Sequence, residues 1–348
     1  MTAYLILENG TTFQGEFFGK QGQEVTGEIV FSTGMTGYLE TITDPSYHGQ
    51  IILQTFPLIG NYGVISADLE SDSISPKAYI VKYLCQEPSN FRSDGDLDTF
   101  FMSKGIVGIK GIDTRALTKI IRENGTMNGK ITAHPPTPAD QDDARNYKIE
   151  NAIAAVSSKK PGVIGEGKYR IALMDFGMKK STVDALISRN CQVFTFPHTA
   201  EADEILAVNP DGILLTGGPG DPADPANTHI IETLRKLKHI PMFGICLGHL
   251  LLALANGYQT QKMKVGHRGA NQPVKDCSTG KLYITGQNHG YTVVADNPSF
   301  VNVNDGTCEG LDYGSSFSVQ FNPGEGPKDT EFLFDCFIER MEAANAAR

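Results

Sequence analysis

Cys246 stands at the centre of Gly244-Ile-Cys246-Leu-Gly248, a nucleophile flanked at both second neighbours by glycine. This G-x-nucleophile-x-G spacing is that of a nucleophile elbow, in which a strand turns sharply into a helix and lifts the reactive atom above a sheet. Backbone crowds backbone at such a turn, which is why glycine is needed on either side. A thiol raised onto a helix N-terminus is favoured as thiolate, the nucleophilic form. The N–H of Leu247 then becomes a donor for an oxyanion. The plainer alternative is a structural cysteine between a core strand and a core helix; the paired glycines favour the reactive one. Two loops offer partners. Thr216-Gly-Gly-Pro-Gly-Asp-Pro222 could supply a second oxyanion donor, and Gln287-Asn-His-Gly-Tyr291 contains a histidine that chemistry or packing could use.

These residues need a scaffold, and the pattern around them predicts one. Ile240–Ile245 is a short apolar run that reads as a buried strand, and Leu250–Ala255 as a helix stopped by Asn256-Gly257. Upstream, strands at 170–176, 191–196 and 212–215 alternate with helices at 179–189, 200–208 and 228–238. Such alternation predicts a mostly parallel sheet with helices on both faces, with chemistry gathered at the carboxyl ends of its strands. Residues 258–321 read as short strands with Gly and Asn turns, an antiparallel extension. A terminal helix is expected over Thr330–Ala347 with Asp329 as N-cap.

The first third of the chain reads differently. Ala3–Glu8 and Thr11–Gly15 flank Asn9-Gly10, a hairpin signal, and Glu28–Phe31 continues the strands. Helices are expected at Lys77–Gln86 and Thr114–Glu123. Pro, Asp and Ala over 134–148, and Ser, Lys, Pro and Gly over 157–168, mark the zone between two domains. The expected organisation is a β-rich α/β domain over 1–150, a linker over 151–168 and an α/β domain over 169–348.

Composition narrows the function. A net charge of −10 with no basic run argues against nucleic acid or an anionic membrane as partner. The N-terminal residues read as strand rather than leader, no apolar stretch approaches membrane-spanning length, and a cytoplasmic location is expected. The cysteines are scattered without a C-x-x-C pair, so neither a disulfide framework nor a zinc site, and no metal ligand set, is expected.

Phe243–His249 together with Gly218-Pro-Gly-Asp221 resembles the class I glutamine amidotransferases, and the wider match is to the carbamoyl-phosphate synthase small-subunit family. Met35–Tyr38, Thr43–Tyr47, Ile59–Asn61 and Gly111–Arg115 are similar to that family's N-terminal segments, which related amidotransferases of guanylate or anthranilate synthesis lack. Val265–His267, Asn271–Lys275 and Gln287–Gly290 fit as well. The resemblance implies a class I amidotransferase domain preceded by a module that docks on a large subunit, in a heterodimer or higher oligomer. It implies that Cys246 attacks the side-chain amide of L-glutamine, forming a γ-glutamyl thioester and releasing ammonia. The large subunit then uses ATP, Mg²⁺ and bicarbonate to make carbamoyl phosphate for arginine or pyrimidine synthesis, with no cofactor in this chain. By position, Leu247 is an oxyanion donor, and Ser46, Gly218, Gly220, Asn288, Gly290 and Tyr291 contact glutamine.

Three positions depart from the family pattern. The family's His-Pro-Glu, general base and its orienter, is Asn322-Pro-Gly324 here, and the following loop is shorter. Leu250 stands where a substrate-contacting glutamine is usual. Asn has no proton that titrates near neutral pH. The chain is therefore expected to hydrolyse glutamine slowly, with His289 or His249 as substitute base and Glu325 as substitute orienter the available rescues. Two readings follow: the glutamine-hydrolysing subunit, or an impaired one acting as structural or regulatory partner of an ammonia-dependent large subunit. A cysteine hydrolase of another kind, such as a peptidase, would have no use for the N-terminal module.

Overall fold

The computed structural model describes residues 1–346, so the expected end of the terminal helix at Ala347 lies outside the described residues. The chain divides into two compact units, Met1–Glu150 and Asn151–Arg348.

The first unit is built on β1 (Thr2–Leu7), β2 (Thr12–Gly19), β3 (Val25–Ser32), β4 (Gln50–Gln54), β5 (Leu58–Ile59), β6 (Ala78–Ile80), β7 (Tyr83–Leu84), β8 (Val107–Lys110) and β9 (Met127–Thr132). Seven of these close a barrel in the order β1-β2-β8-β6-β4-β3-β9, while β5 and β7 form a separate ribbon. The hairpin at Asn9-Gly10 forms as its sequence predicts, with Gly10 at φ 88° and Ile6 opposite Thr12. Helices α1 (Tyr38–Thr43) and α2 (Leu97–Lys104) belong to this unit, as does α3 (Thr114–Asn124), capped by Asp113, whose carboxylate accepts from Ala116 N at 3.0 Å.

Two expectations for this unit fail. Lys77–Gln86 is not a helix: it supplies β6 and β7. β6 lies between β4 and β8, parallel to both, and its residues are all buried. A strand covered on both faces has no alternation, so its apolar run cannot be told from a helix by periodicity. Nor is 134–148 a connecting stretch. It holds α4 (Pro138–Asn146), opened by a Thr137–Asp140 capping box and tied to β9 by Lys130 Nζ, which lies 2.7 Å from Asp140 and 2.8 Å from Asp143.

The second unit starts inside the expected linker. Residues 151–168 form α5 (Ala152–Val156) and β10 (Gly162–Ile164), and β10 pairs with β12 (Cys191–Pro197). Between them in the chain come β11 (Tyr169–Asp175) and α6 (Lys180–Ile187). Then follow α7 (Ala202–Leu206), β13 (Gly212–Leu215), α8 (Thr228–Lys236), β14 (Met242–Ile245), α9 (Leu247–Ala255), β15 (Gln259–Asp276), β16 (Leu282–Val294), β17 (Phe300–Asn302), β18 (Cys308–Asp312), β19 (Phe317–Val319) and α10 (Phe332–Ala346). One sheet runs β10-β12-β11-β13-β14-β19-β18-β17-β15-β16. β12, β11, β13, β14 and β19 are parallel, and the rest is antiparallel. One apolar cluster includes Ile205, Leu234 and Leu251 from α7, α8 and α9; a second includes Val183, Leu186, Phe334 and Phe337 from α6 and α10. This is the mixed α/β architecture expected, with helices on both faces.

The antiparallel extension is longer than expected. β15 and β16 run 18 and 13 residues, with register shifts between Lys262 and His267 and between Gly269 and Gln272. Bulge glycines inside a strand look like turns in a sequence. Asp329 is not the cap of α10: it sits in a 3₁₀ turn, and its carboxylate accepts from Ile284 N at 3.3 Å. Among the described residues, no helix is long and apolar enough to cross a membrane.

Candidate active site

The elbow is a direct consequence of β14 lying between β13 and β19. The strand is four residues of core, and the chain must leave it at Ile245 to start α9 over the sheet edge. Cys246 makes the turn at φ 53° and ψ −106°, one of four non-glycine residues with positive φ among those described. Such a conformation costs about 1–3 kcal/mol and persists only where the surroundings impose it. A Cβ on Gly244 would come within 2.8 Å of Gly248 O, and one on Gly248 within 2.4 Å of Leu215 O. The glycines are therefore required by close approach of three backbone segments, as the spacing predicts.

Hydrogen bonds hold the elbow. Cys246 N donates to Val319 O at 2.9 Å, and Gly248 N to Thr216 O at 3.0 Å, which ties the 216–222 loop to the helix start. Leu250 N donates to Cys246 O at 3.2 Å, closing the first turn of α9. Gly248 N is thus used within the elbow, and Leu247 supplies the first amide of α9. The Cys246 thiol is nearly buried and donates to Asn288 O at 3.5 Å. β16 thus brings Asn288 against the sulfur, with half-buried Gly290 and Tyr291 following it. Gly218 approaches Phe176 O so closely that a Cβ would sit 2.2 Å away, and Gly220 adopts φ 95°. The two β13–α8 loop glycines and the β16 residues thus come from segments bonded to the elbow. Ser46 lies in the first unit, buried in a 3₁₀ turn, its N–H bonded to Asp44 Oδ1 at 2.8 Å. Leu250 is buried in the apolar cluster over the sheet.

Beyond β19, Asn322 forms an antiparallel bridge with Gly286 of β16. Its N–H donates to Gly286 O at 2.9 Å, and its carbonyl accepts from Glu325 N at 3.3 Å. The residue is buried but untitratable. Gly324 faces Ser181 O and Phe334. Glu325, the expected substitute orienter, is instead ion-paired with Lys179 Nζ at 2.5 Å, both side chains largely buried.

Neither histidine considered as a substitute base is placed as one. His249 is fully buried, its Nδ1 2.7 Å from Ser318 Oγ, and burial pulls its pKa down to about 3. His289 is also buried, and its two ring nitrogens lie 2.8 Å from Tyr291 O and 3.0 Å from Gln287 Oε1. Burial, aided by the charge of His267, holds it well below the usual histidine range. Sequence reasoning missed the Lys179–Glu325 pair. Its signal was Lys179 four residues past the end of β11, where chains of this layout gather polar side chains.

The carbamoyl-phosphate synthase small-chain CPSase model matches residues 5–131, and the class-I glutamine amidotransferase model matches 172–340. A carbamoyl phosphate synthase small chain of Clostridium perfringens is 46% identical over 97% of this chain and 99% of its own length. A pyrimidine-specific small chain of the same enzyme from Halalkalibacterium halodurans is 45% identical over 99% of this chain and 98% of its own. Another from Bacillus subtilis is 45% identical over 98% and 96%. Identity at this level over both units places this chain in the carbamoyl-phosphate synthase small-chain family.

Proposed function

We propose that this chain is the glutamine amidotransferase subunit of a carbamoyl-phosphate synthase. The observation that carries the reading is Cys246 held at φ 53° on a strand-to-helix turn, a strained placement that a packing cysteine has no reason to keep. In this role the Cys246 thiolate attacks the δ-carbon of glutamine, and Leu247 N–H holds the oxyanion. The C–N bond breaks as the nitrogen takes up a proton, ammonia leaves, and water hydrolyses the thioester to glutamate. Gly218, Gly220, Asn288, Gly290, Tyr291 and Ser46 are the glutamine contacts of this reading. A large subunit is the partner, and ATP, Mg²⁺ and bicarbonate are consumed there, with no cofactor bound by this chain.

Asn322 and Gly324 favour a second reading of the rate. A positioned acid–base group contributes ~10²–10⁴-fold, and neither residue can carry a proton. His249 and His289 are held neutral and bonded elsewhere, and Glu325 is paired with Lys179. On this reading the chain binds its large subunit and supports ammonia-dependent synthesis, while hydrolysing glutamine slowly. The test is ammonia release from glutamine by the chain alone and with a large subunit, beside Cys246→Ser. Slow release that vanishes in the variant is the expected result. Release unaffected by Cys246→Ser would overturn the nucleophile assignment, and full-rate release would overturn the impaired reading.

A further inference from the structure

Beside the elbow, β15, β16 and β18 bring three buried side chains to one point. His267 and His289 are cross-strand partners, so their rings share a face, with centroids 5.0 Å apart. Glu309 arrives from β18, and its Oε1 lies 3.3 Å from His267 Nδ1. One donor atom from each of the three lies within 4.8 Å of the other two. Glu309 is fully buried, and its Oε2 has no hydrogen-bond partner.

The surrounding hydrogen bonds decide which nitrogens face inward. His267 Nε2 is 2.9 Å from Asp305 Oδ2, an acceptor, so that nitrogen carries the proton and Nδ1 faces Glu309. His289 Nδ1 is 2.8 Å from the carbonyl of Tyr291, so it donates and Nε2 presents a lone pair. That lone pair faces Gln287 Oε1 at 3.0 Å, a second acceptor with no proton between them. Turning the amide over is opposed, because Gln287 Nε2 donates to Thr285 Oγ1, which itself donates to Gln272 O. A cation is what this arrangement of lone pairs would accept.

We propose that His267 Nδ1, His289 Nε2 and a Glu309 carboxylate oxygen form a divalent transition-metal site suited to Zn²⁺, with Gln287 Oε1 or water as fourth ligand. Two ligands of a tetrahedral zinc sit ~3.3 Å apart, which is the Nδ1–Oε1 separation observed. Each imidazole donates its other N–H to a carboxylate or a carbonyl, and Asn302 Nδ2 bonds Glu309 Oε1 at 3.0 Å, the outer support metal ligands require. Asp305, 41% exposed at its side chain, opens one edge for entry. The ion would clasp three strands and fix the backbone that presents Asn288 O to Cys246. This site does not depend on the rate of glutamine hydrolysis.

The competing occupant is a proton. Burial lowers the pKa of His267, but the Glu309 and Asp305 carboxylates outweigh it and raise it overall. Around the cluster, Arg268 adds positive charge. Metal binding therefore displaces a proton and weakens as the pH falls. The test is calorimetric titration of the untagged, chelator-treated full chain with Zn²⁺. One ion per chain is expected. Glu309→Gln should weaken it by roughly 100-fold or more, while His134→Ala, which dismantles the Glu24–His134–Asp140 group, leaves it intact. The Co²⁺-loaded wild-type chain should show two hyperfine-shifted imidazole N–H protons, a readout independent of whether variants fold. Absence of stoichiometric binding, loss in His134→Ala instead, or fewer than two shifted protons would overturn the site in favour of a proton-held histidine–carboxylate network.

Discussion

The elbow and the loop after β19 lie side by side on paired strands, yet they differ in what holds them and in what their side chains can do. The elbow has what its backbone turn asks for: both glycines, a cysteine at positive φ, and the first helix amide. It keeps them at the cost of backbone strain. The neighbouring loop bonds Asn322 to Gly286 and Glu325 to Lys179, and neither Asn322 nor Gly324 has a side chain that titrates near neutral pH. The difference teaches that placing a nucleophile is a backbone property, whereas moving protons is a side-chain property. A fold can supply the one without the other.

The sharpest way to break this contrast is to give the loop proton-handling side chains. Asn322→His with Gly324→Glu should raise glutamine hydrolysis by ~10²–10⁴-fold, read as kcat for ammonia release. The Gly324 position leaves room, since an added Cβ meets Ser181 O only at ordinary contact distance, 3.4 Å. A double variant that folds but gains nothing would mean the loop no longer aims residue 322 at Cys246.

A smaller effect joins the two halves. His249 of α9 hydrogen-bonds Ser318 of β19, and its folded pKa of about 3 lies below the unfolded value near 6.5. A depressed histidine stabilises the fold above its unfolded pKa and loses that contribution as pH falls toward the folded one. At pH 5 the loss should reach ~2 kcal/mol. Denaturant titrations at pH 7 and pH 5 should therefore show wild type falling more than His249→Gln by about that amount. Equal losses would mean that His249 is protonated where it stands.

Much of this was legible in the sequence, for identifiable reasons. β11, β12, β13 and β14 with α6, α8 and α9 announced themselves because alternation between strand and helix repeats over short connections. The elbow was legible because steric need restricts two positions to glycine. Lys77–Gln86 was misread because burial on both faces erases periodicity. The 151–168 segment was misread because Pro, Gly and Ser describe an edge strand and a short helix as well as a linker. Residues whose meaning depends on distant partners could be singled out but not paired from the sequence. His267, His289 and Glu309 are brought together only by strand register, and Glu325 is fixed by Lys179, 146 positions away.

The smallest predicted effect isolates the strain itself. Cys246→Gly and Cys246→Ala both remove the thiol and its bond to Asn288 O, so they differ only in Cβ. At most positions Ala is the more stable of such a pair, because glycine loses more chain entropy on folding. At φ 53° and ψ −106° the Cβ is the source of the strain, and glycine relieves it. Cys246→Gly should therefore be more stable than Cys246→Ala by ~1 kcal/mol, measured as the difference in urea midpoint. If Ala proves equal or better, the elbow is not strained, and the left-handed cysteine loses its force as the sign of a retained nucleophile.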